Sequence, residues 1–162
     1  MKKQVSVLQN PFAPLALWML LFLVSCKWQP YFQKDYEGLV GQRQEAKKDE
    51  ALLSYESGLL MKYDNSKRGA VSSKLYYMGM TRSALEFLWQ RYDLSTFSAS
   101  TKRTLEKSPV TVDLQPFPFQ VNIRGFSLLI HEADTGRIAF TLVSAEPTDI
   151  PDTTELMKLA PR

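Results

Sequence analysis

A single cysteine and a single histidine among 162 residues set the first limits on this chain. One cysteine excludes an internal disulfide, and a lone exposed thiol in an oxidising compartment is a liability unless something occupies it. The one histidine, His131, stands close to Glu132 and Asp134, but the spacing fits no ligand motif. Neighbouring strand residues also point to opposite faces, so no metal site is expected. No serine sits in a Gly-x-Ser-x-Gly elbow, and no phosphate-binding glycine loop is present. The residues therefore give no basis for an enzyme or for a cofactor. Charge of one sign is lacking as well. The 20 Lys plus Arg face 17 Asp plus Glu. Two of those lysines, Lys2 and Lys3, belong to an opening segment set apart from the rest. The remainder is near neutral, which gives no ground for nucleic-acid binding. The main apolar block, residues 12–24, is shorter than the ~20 residues a spanning helix needs. Gln9, Asn10, Pro11 and Pro14 make a poor start for such a helix.

What the opening does have is a basic start, that apolar block, and a small residue before a break: the layout of a secretory signal. It closes on Leu23-Val24-Ser25-Cys26, which resembles the lipobox of bacterial lipoproteins. The resemblance implies a signal peptide over 1–25, cleaved between Ser25 and Cys26. It also implies a diacylglycerol on the Cys26 thiol, and a fatty acyl group such as palmitate on the new amino terminus. The single cysteine then has an occupant. Lys27 follows where members retained at the inner membrane tend to carry Asp. The resemblance therefore points to the outer membrane, with the body facing the periplasm. Each buried CH₂ contributes about 0.8 kcal/mol, and two or more chains anchor stably where one does not. An uncleaved signal-anchor held in the inner membrane is the alternative for this segment.

After Cys26 the sequence suggests an α+β protein, an N-terminal helical hairpin followed by a small antiparallel β-sheet or hairpin. Residues 26–35 read as a lipidated tether or spacer. Its Trp28, Tyr31 and Phe32 fit either the headgroup level of a bilayer or the surface of the following domain. Residues 36–94 are expected to be the helical hairpin. Gln42 to Glu50 is rich in helix formers, and Leu52, Tyr55, Leu59 and Tyr63 recur at spacings of three and four. A turn at Asp64 to Gly69 precedes a second stripe of Val71, Leu75, Met78, Leu85, Leu88, Trp89 and Tyr92.

Residues 95–109, rich in Ser and Thr, read as a linker. Over 110–146 the period changes to two. Val110, Val112 and Leu114 alternate with polar residues, and Pro116 and Pro118 make an extended corner outside the sheet. At Gly125 the apolar phase slips, the mark of a β-bulge. Asp134-Thr135-Gly136 is a hairpin turn feeding a return strand of Ile138, Phe140 and Leu142. In the tail, 147–162, Asp152 and Glu155 resemble a capping box before a short amphipathic helix, with a frayed terminus as the alternative.

Together these features suggest a membrane-tethered, non-enzymatic docking or assembly accessory of a cell-envelope complex, one that serves secretion, conjugation or the outer membrane. The expected partners are the bilayer, through acylated Cys26, and one or more envelope proteins. Phe117, Phe119 and Trp28 are the candidate partner-binding residues, the first two because aromatics on a Pro-stiffened segment lose little entropy on binding. The alternative is a lipid- or peptide-binding lipoprotein with an apolar pocket between helices and sheet. A filled core favours docking and a deep apolar pocket favours the ligand. An envelope hydrolase would need convergent polar residues that the sequence does not display.

Overall fold

The computed structural model describes residues 28–61, 67–94 and 103–159. Among the described residues nine strands and one α-helix follow one another: β1 (Trp28–Lys34), β2 (Arg43–Lys47), β3 (Ala51–Met61), β4 (Lys67–Met80), β5 (Ala84–Asp93), β6 (Arg103–Asp113), β7 (Phe119–Ile123), β8 (Phe126–Ala133), β9 (Arg137–Ala145) and α1 (Thr153–Leu159). The strands form two antiparallel sheets, a five-stranded one ordered β1-β3-β4-β5-β6 and a four-stranded one ordered β2-β9-β8-β7. Their inner faces share one apolar core. Leu53, Tyr55, Leu75, Tyr77, Phe87 and Trp89 come from the larger sheet, and Val121, Phe126, Leu128, Ile130, Phe140 and Leu142 from the smaller. Its centre is aromatic: the Phe126 ring lies 6.1 Å from Tyr55 and 6.2 Å from Trp89, and those two rings are 6.0 Å apart. The described core residues lie between Phe32 and Leu159.

The helical hairpin expected over 36–94 is not what forms, and the α+β assignment falls with it. That span holds β2 to β5, with a 3-10 turn at Glu37–Leu39. The inward series are Leu53, Tyr55, Ser57, Leu59 on β3, Val71, Ser73, Leu75, Tyr77 on β4, and Leu85, Phe87, Trp89 on β5, all at period two. Ser57 and Ser73 interrupt them on the buried side. Apolar Leu60, Tyr76, Met78 and Leu88 occupy alternate positions. The result imitates a three-four stripe. The helix formers of residues 43–47 lie in an edge strand pinned by five pairs to β9, because pairing outweighs weak local propensity.

Other segments also move. Residues 28–34, read as spacer, are the edge strand β1, with Phe32 packed 5.2 Å from Tyr55. Of the expected linker, residues 103–109 belong to β6; Pro109 is tolerated there because β6 is an edge strand. Gly125 marks a two-residue turn and not a bulge. Ile123 pairs with Phe126, and Arg124 and Gly125 both take positive φ, 53° and 85°. The hairpin turning at Asp134 to Gly136 is present as β8–β9.

The tail helix docks. Leu156 is buried in a second apolar cluster with Leu59 and Val71. A side chain at Gly69 would stand 2.2 Å from the Leu156 carbonyl oxygen, so only glycine allows this approach of helix to strand. The Asp152 carboxylate accepts the Glu155 amide at 2.7 Å, the cap the sequence suggested. Asp152→Ala is expected to cost about 1 kcal/mol, read as a lower urea midpoint with an unchanged slope.

Candidate functional site

Cys26 and Ser25, the proposed lipidation and cleavage residues, lie outside the described residues, as does the signal over 1–25. Among the described residues no helix is long and apolar enough to cross a membrane. Trp28 opens β1 opposite Met61, two residues after Cys26. This end of the larger sheet also holds the start of β4 at Lys67, the end of β5 at Asp93 and the start of β6 at Arg103. This is the proximal end of the sheet, nearest Cys26 in the chain.

The other two candidate partner-binding residues part company. Phe119 is 6% exposed and belongs to the core. Phe117 is 37% exposed, its ring 5.4 Å from that of Phe119. Phe117 thus packs on the buried Phe119 while staying accessible to solvent. The corner follows β6, whose last residue Asp113 pairs with Ala84, and Leu114 N–H donates to the Ser83 carbonyl at 2.8 Å. Phe117 therefore belongs to the distal end. Eleven residues of β6 separate the two ends, which at ~3.3 Å per residue is about 30 Å.

The groups with potential chemistry are each committed elsewhere. His131 Nε2 lies 2.8 Å from Thr141 Oγ1 across the β8–β9 ladder. Glu132 takes Arg43 at 2.8 Å on the surface. Asp134 accepts the Gly136 and Arg137 amides at 2.7 and 2.8 Å and shapes its own turn. These amides, the Gly136 one first, hold the Asp134 carboxyl below its ordinary 3.8. A carboxyl with a depressed folded value contributes stability above its ordinary value and loses it as pH falls through the lower one. The melting-temperature gap between wild type and Asp134→Ala should be present at neutral pH and close below about pH 4. A gap independent of pH would remove the turn carboxylate from the account.

One cluster had no sequence signal. Tyr55, Ser73, Arg91 and Glu106 are successive register partners across β3, β4, β5 and β6. Arg91 reaches Glu106 at 3.8 Å and Glu155 of α1 at 3.2 Å. Arg124, from the β7–β8 turn, takes Glu106 at 2.9 Å and Asp149 at 2.7 Å. This half-buried network separates the two apolar clusters and fastens α1 and the segment before it to the sheet. Strand register together with the docking of the β7–β8 turn and α1 brings these residues together, from positions 91 to 155. Its guanidiniums are matched by carboxylates, which suits a clasp and not a reactive centre.

Nearer the distal end, Tyr77 donates its hydroxyl to the Asp134 carbonyl. Burial, with Asp134 adding to it, pushes this phenol up to about 12. On the outer face of β4 to β6 runs an open groove of about 360 Å³, lined by Met78, Leu88 and Pro109 with Glu86 and Lys107 at its polar positions. Among the described residues no three His, Cys, Asp or Glu side chains stand close enough to hold a metal ion. Compared with protein-family models, curated proteins and solved structures, the chain matches none significantly.

Proposed function

We propose that the chain is a lipoprotein held to a bacterial envelope membrane by acylated Cys26, with its β-sandwich serving as a non-enzymatic docking or assembly accessory of an envelope complex. The observation that carries the docking half is the filled interior. Tyr55, Trp89 and Phe126 occupy the centre of the sandwich at mutual ring distances of 6.0 to 6.2 Å. With the middle of the core closed, recognition belongs to surfaces. The competing pocket between helices and sheet loses support, because the helical wall it required is a sheet. The tether half rests on the lipobox-like segment and is supported by β1 starting two residues beyond Cys26. A chain acylated there has almost no slack, so its proximal end sits against the bilayer. The distal end, with Phe117, stands about 30 Å out, where a periplasmic partner can reach it.

Two measurements test this. Metabolic palmitate labelling with intact mass should show lipid on wild type and none on Cys26→Ala. A photo-reactive side chain in place of Phe117 should crosslink to an envelope protein in whole cells, while one at Ser144, exposed at the opposite end of β9, should not. An unlipidated, uncleaved wild-type chain would overturn the tether. Crosslinking at both positions alike, or at neither, would overturn the distal docking end.

A further inference from the structure

The outer face of the larger sheet is polarised across β4 to β6. Leu75, Tyr77, Phe87 and Trp89 point into the core, so the residues between them point out. Register lines up Tyr76, Leu88 and Pro109 in one apolar row across the three strands. Met78 adds to that strip, and the open groove of about 360 Å³ lies on it. Toward the proximal end, Lys74, Gln90 and Lys107 form the next row. Toward the distal end stand Glu86, opposite Thr111, and then Asp113, opposite Ala84. Successive rows are about 7 Å apart, so the strip runs between a basic and an acidic border. Among the described residues none of these four charges has an ion-pair partner. Elsewhere opposite charges meet directly, as Arg43 and Glu132 do on the smaller sheet. Here the apolar strip holds them apart.

We propose that this face docks an amphipathic segment of an envelope protein. The apolar stripe of that segment lies on Tyr76, Leu88 and Pro109. Its basic border meets Glu86 and Asp113, and its acidic border meets Lys74 and Lys107. The inference deepens the docking reading, on which it rests, by giving the partner a chemistry and a second place to bind. Charge complementarity selects this occupant. An anionic bilayer would be repelled along the Glu86 border. A second copy of the chain fails on geometry. Two copies tethered in one leaflet are related by a twofold axis along the membrane normal, and in the tethered chain the strands run along that normal. Turned face to face about it, they set Glu86 against Glu86 and Lys107 against Lys107, and like charges so placed oppose association. A segment of different sequence carries no such constraint.

The test uses the full chain in whole cells. A photo-reactive side chain in place of Thr111, which is exposed and lines the groove, should form a protein adduct. Mass spectrometry of the adduct should place the crosslink in a partner segment with an apolar stripe, Lys or Arg along one border and Asp or Glu along the other. Exchanging the borders with Glu86→Lys and Lys107→Glu keeps the net charge and should lower the adduct yield about ten-fold or more. The matched control Arg43→Glu with Glu132→Arg, an exchange within a surface pair of the smaller sheet, should leave the yield unchanged. Near-UV circular dichroism checks folding. If the exchange variant unfolds, Glu86→Gln with Lys107→Gln takes its place, and the yield should fall and lose its dependence on salt. An adduct that survives the exchange, one that joins two copies of this chain, one made to lipid, or none at all overturns the proposal. Crosslinking at Phe117 with silence at Thr111 would sink this surface and leave the docking reading standing. Silence at both would sink both.

Discussion

Phe126→Ala is expected to lower the unfolding free energy by about 3–5 kcal/mol. Phe126 is 0% exposed and opens β8 directly after the β7–β8 turn. Its ring contacts Tyr36 edge-on at 5.2 Å and faces Tyr55 and Trp89 from the opposite sheet. Removing it takes away transfer energy and leaves a cavity walled by three buried aromatics, Tyr55 and Trp89 held by strands and Tyr36 by the segment after β1, so collapse around the gap is limited. Domains of this size have about 5–15 kcal/mol in all, so the loss is a large share. In a thermal melt it should appear as a fall of about 10–20 °C. Phe117→Ala is the comparison. That ring is 37% exposed and rests on Phe119 alone among aromatics, and about 1 kcal/mol or less is expected. A small effect at Phe126 would mean that the two sheets do not share this core. A large effect at Phe117 would make the distal corner structural and take away its claim to be a docking feature.

The contrast between those two phenylalanines shows what could be read from sequence. Both stand in Gln115-Pro116-Phe117-Pro118-Phe119 or shortly after it, in a region where alternation is clean, and there the strands, the corner and the β8–β9 turn were legible. Only the sheet decides which phenylalanine faces inward, so Phe119 was assigned to recognition when it belongs to the core. The failure over residues 36–94 has a different cause. Serine at buried positions 57 and 73 breaks the inward period on its apolar side. Arg91 and Asp93 do the same at the end of β5, where the ion-pair network and the adjoining edge accept them. A polar seam between two apolar clusters is visible only after four strands are in register. The Asp152 cap and the short helix after it were legible because capping is local, spanning four residues.

Gly125→Ala should cost about 3 kcal/mol, far more than a surface glycine usually does. Gly125 has φ 85°, a conformation that an L side chain adopts only with strain of roughly 1–2 kcal/mol. The space is also taken. A Cβ there would lie 1.9 Å from the Glu146 carbonyl oxygen and 2.7 Å from its carbon. These are backbone atoms, so the turn and the segment leaving β9 must separate. That separation threatens the Glu146 amide bond to the Gly125 carbonyl at 2.8 Å and the Thr148 amide bond to the Arg124 carbonyl at 3.3 Å. It also disturbs Arg124, whose guanidinium holds Asp149 and Glu106. Residues 146–152 lead into α1, so the damage should travel. Amide exchange in Thr153–Leu159 should speed up in Gly125→Ala along with exchange at the turn. Gly38→Ala is the control, since its φ is not positive and nothing lies within 4 Å of the added carbon; its effect should stay within about 0.5 kcal/mol. If the two variants unfold at the same urea concentration, the two-residue turn is wrong, and the bulge that the sequence suggested regains its standing. If Gly125→Ala is destabilised but α1 exchanges as in wild type, the turn is right and the clasp through Arg124 is not what holds the helix.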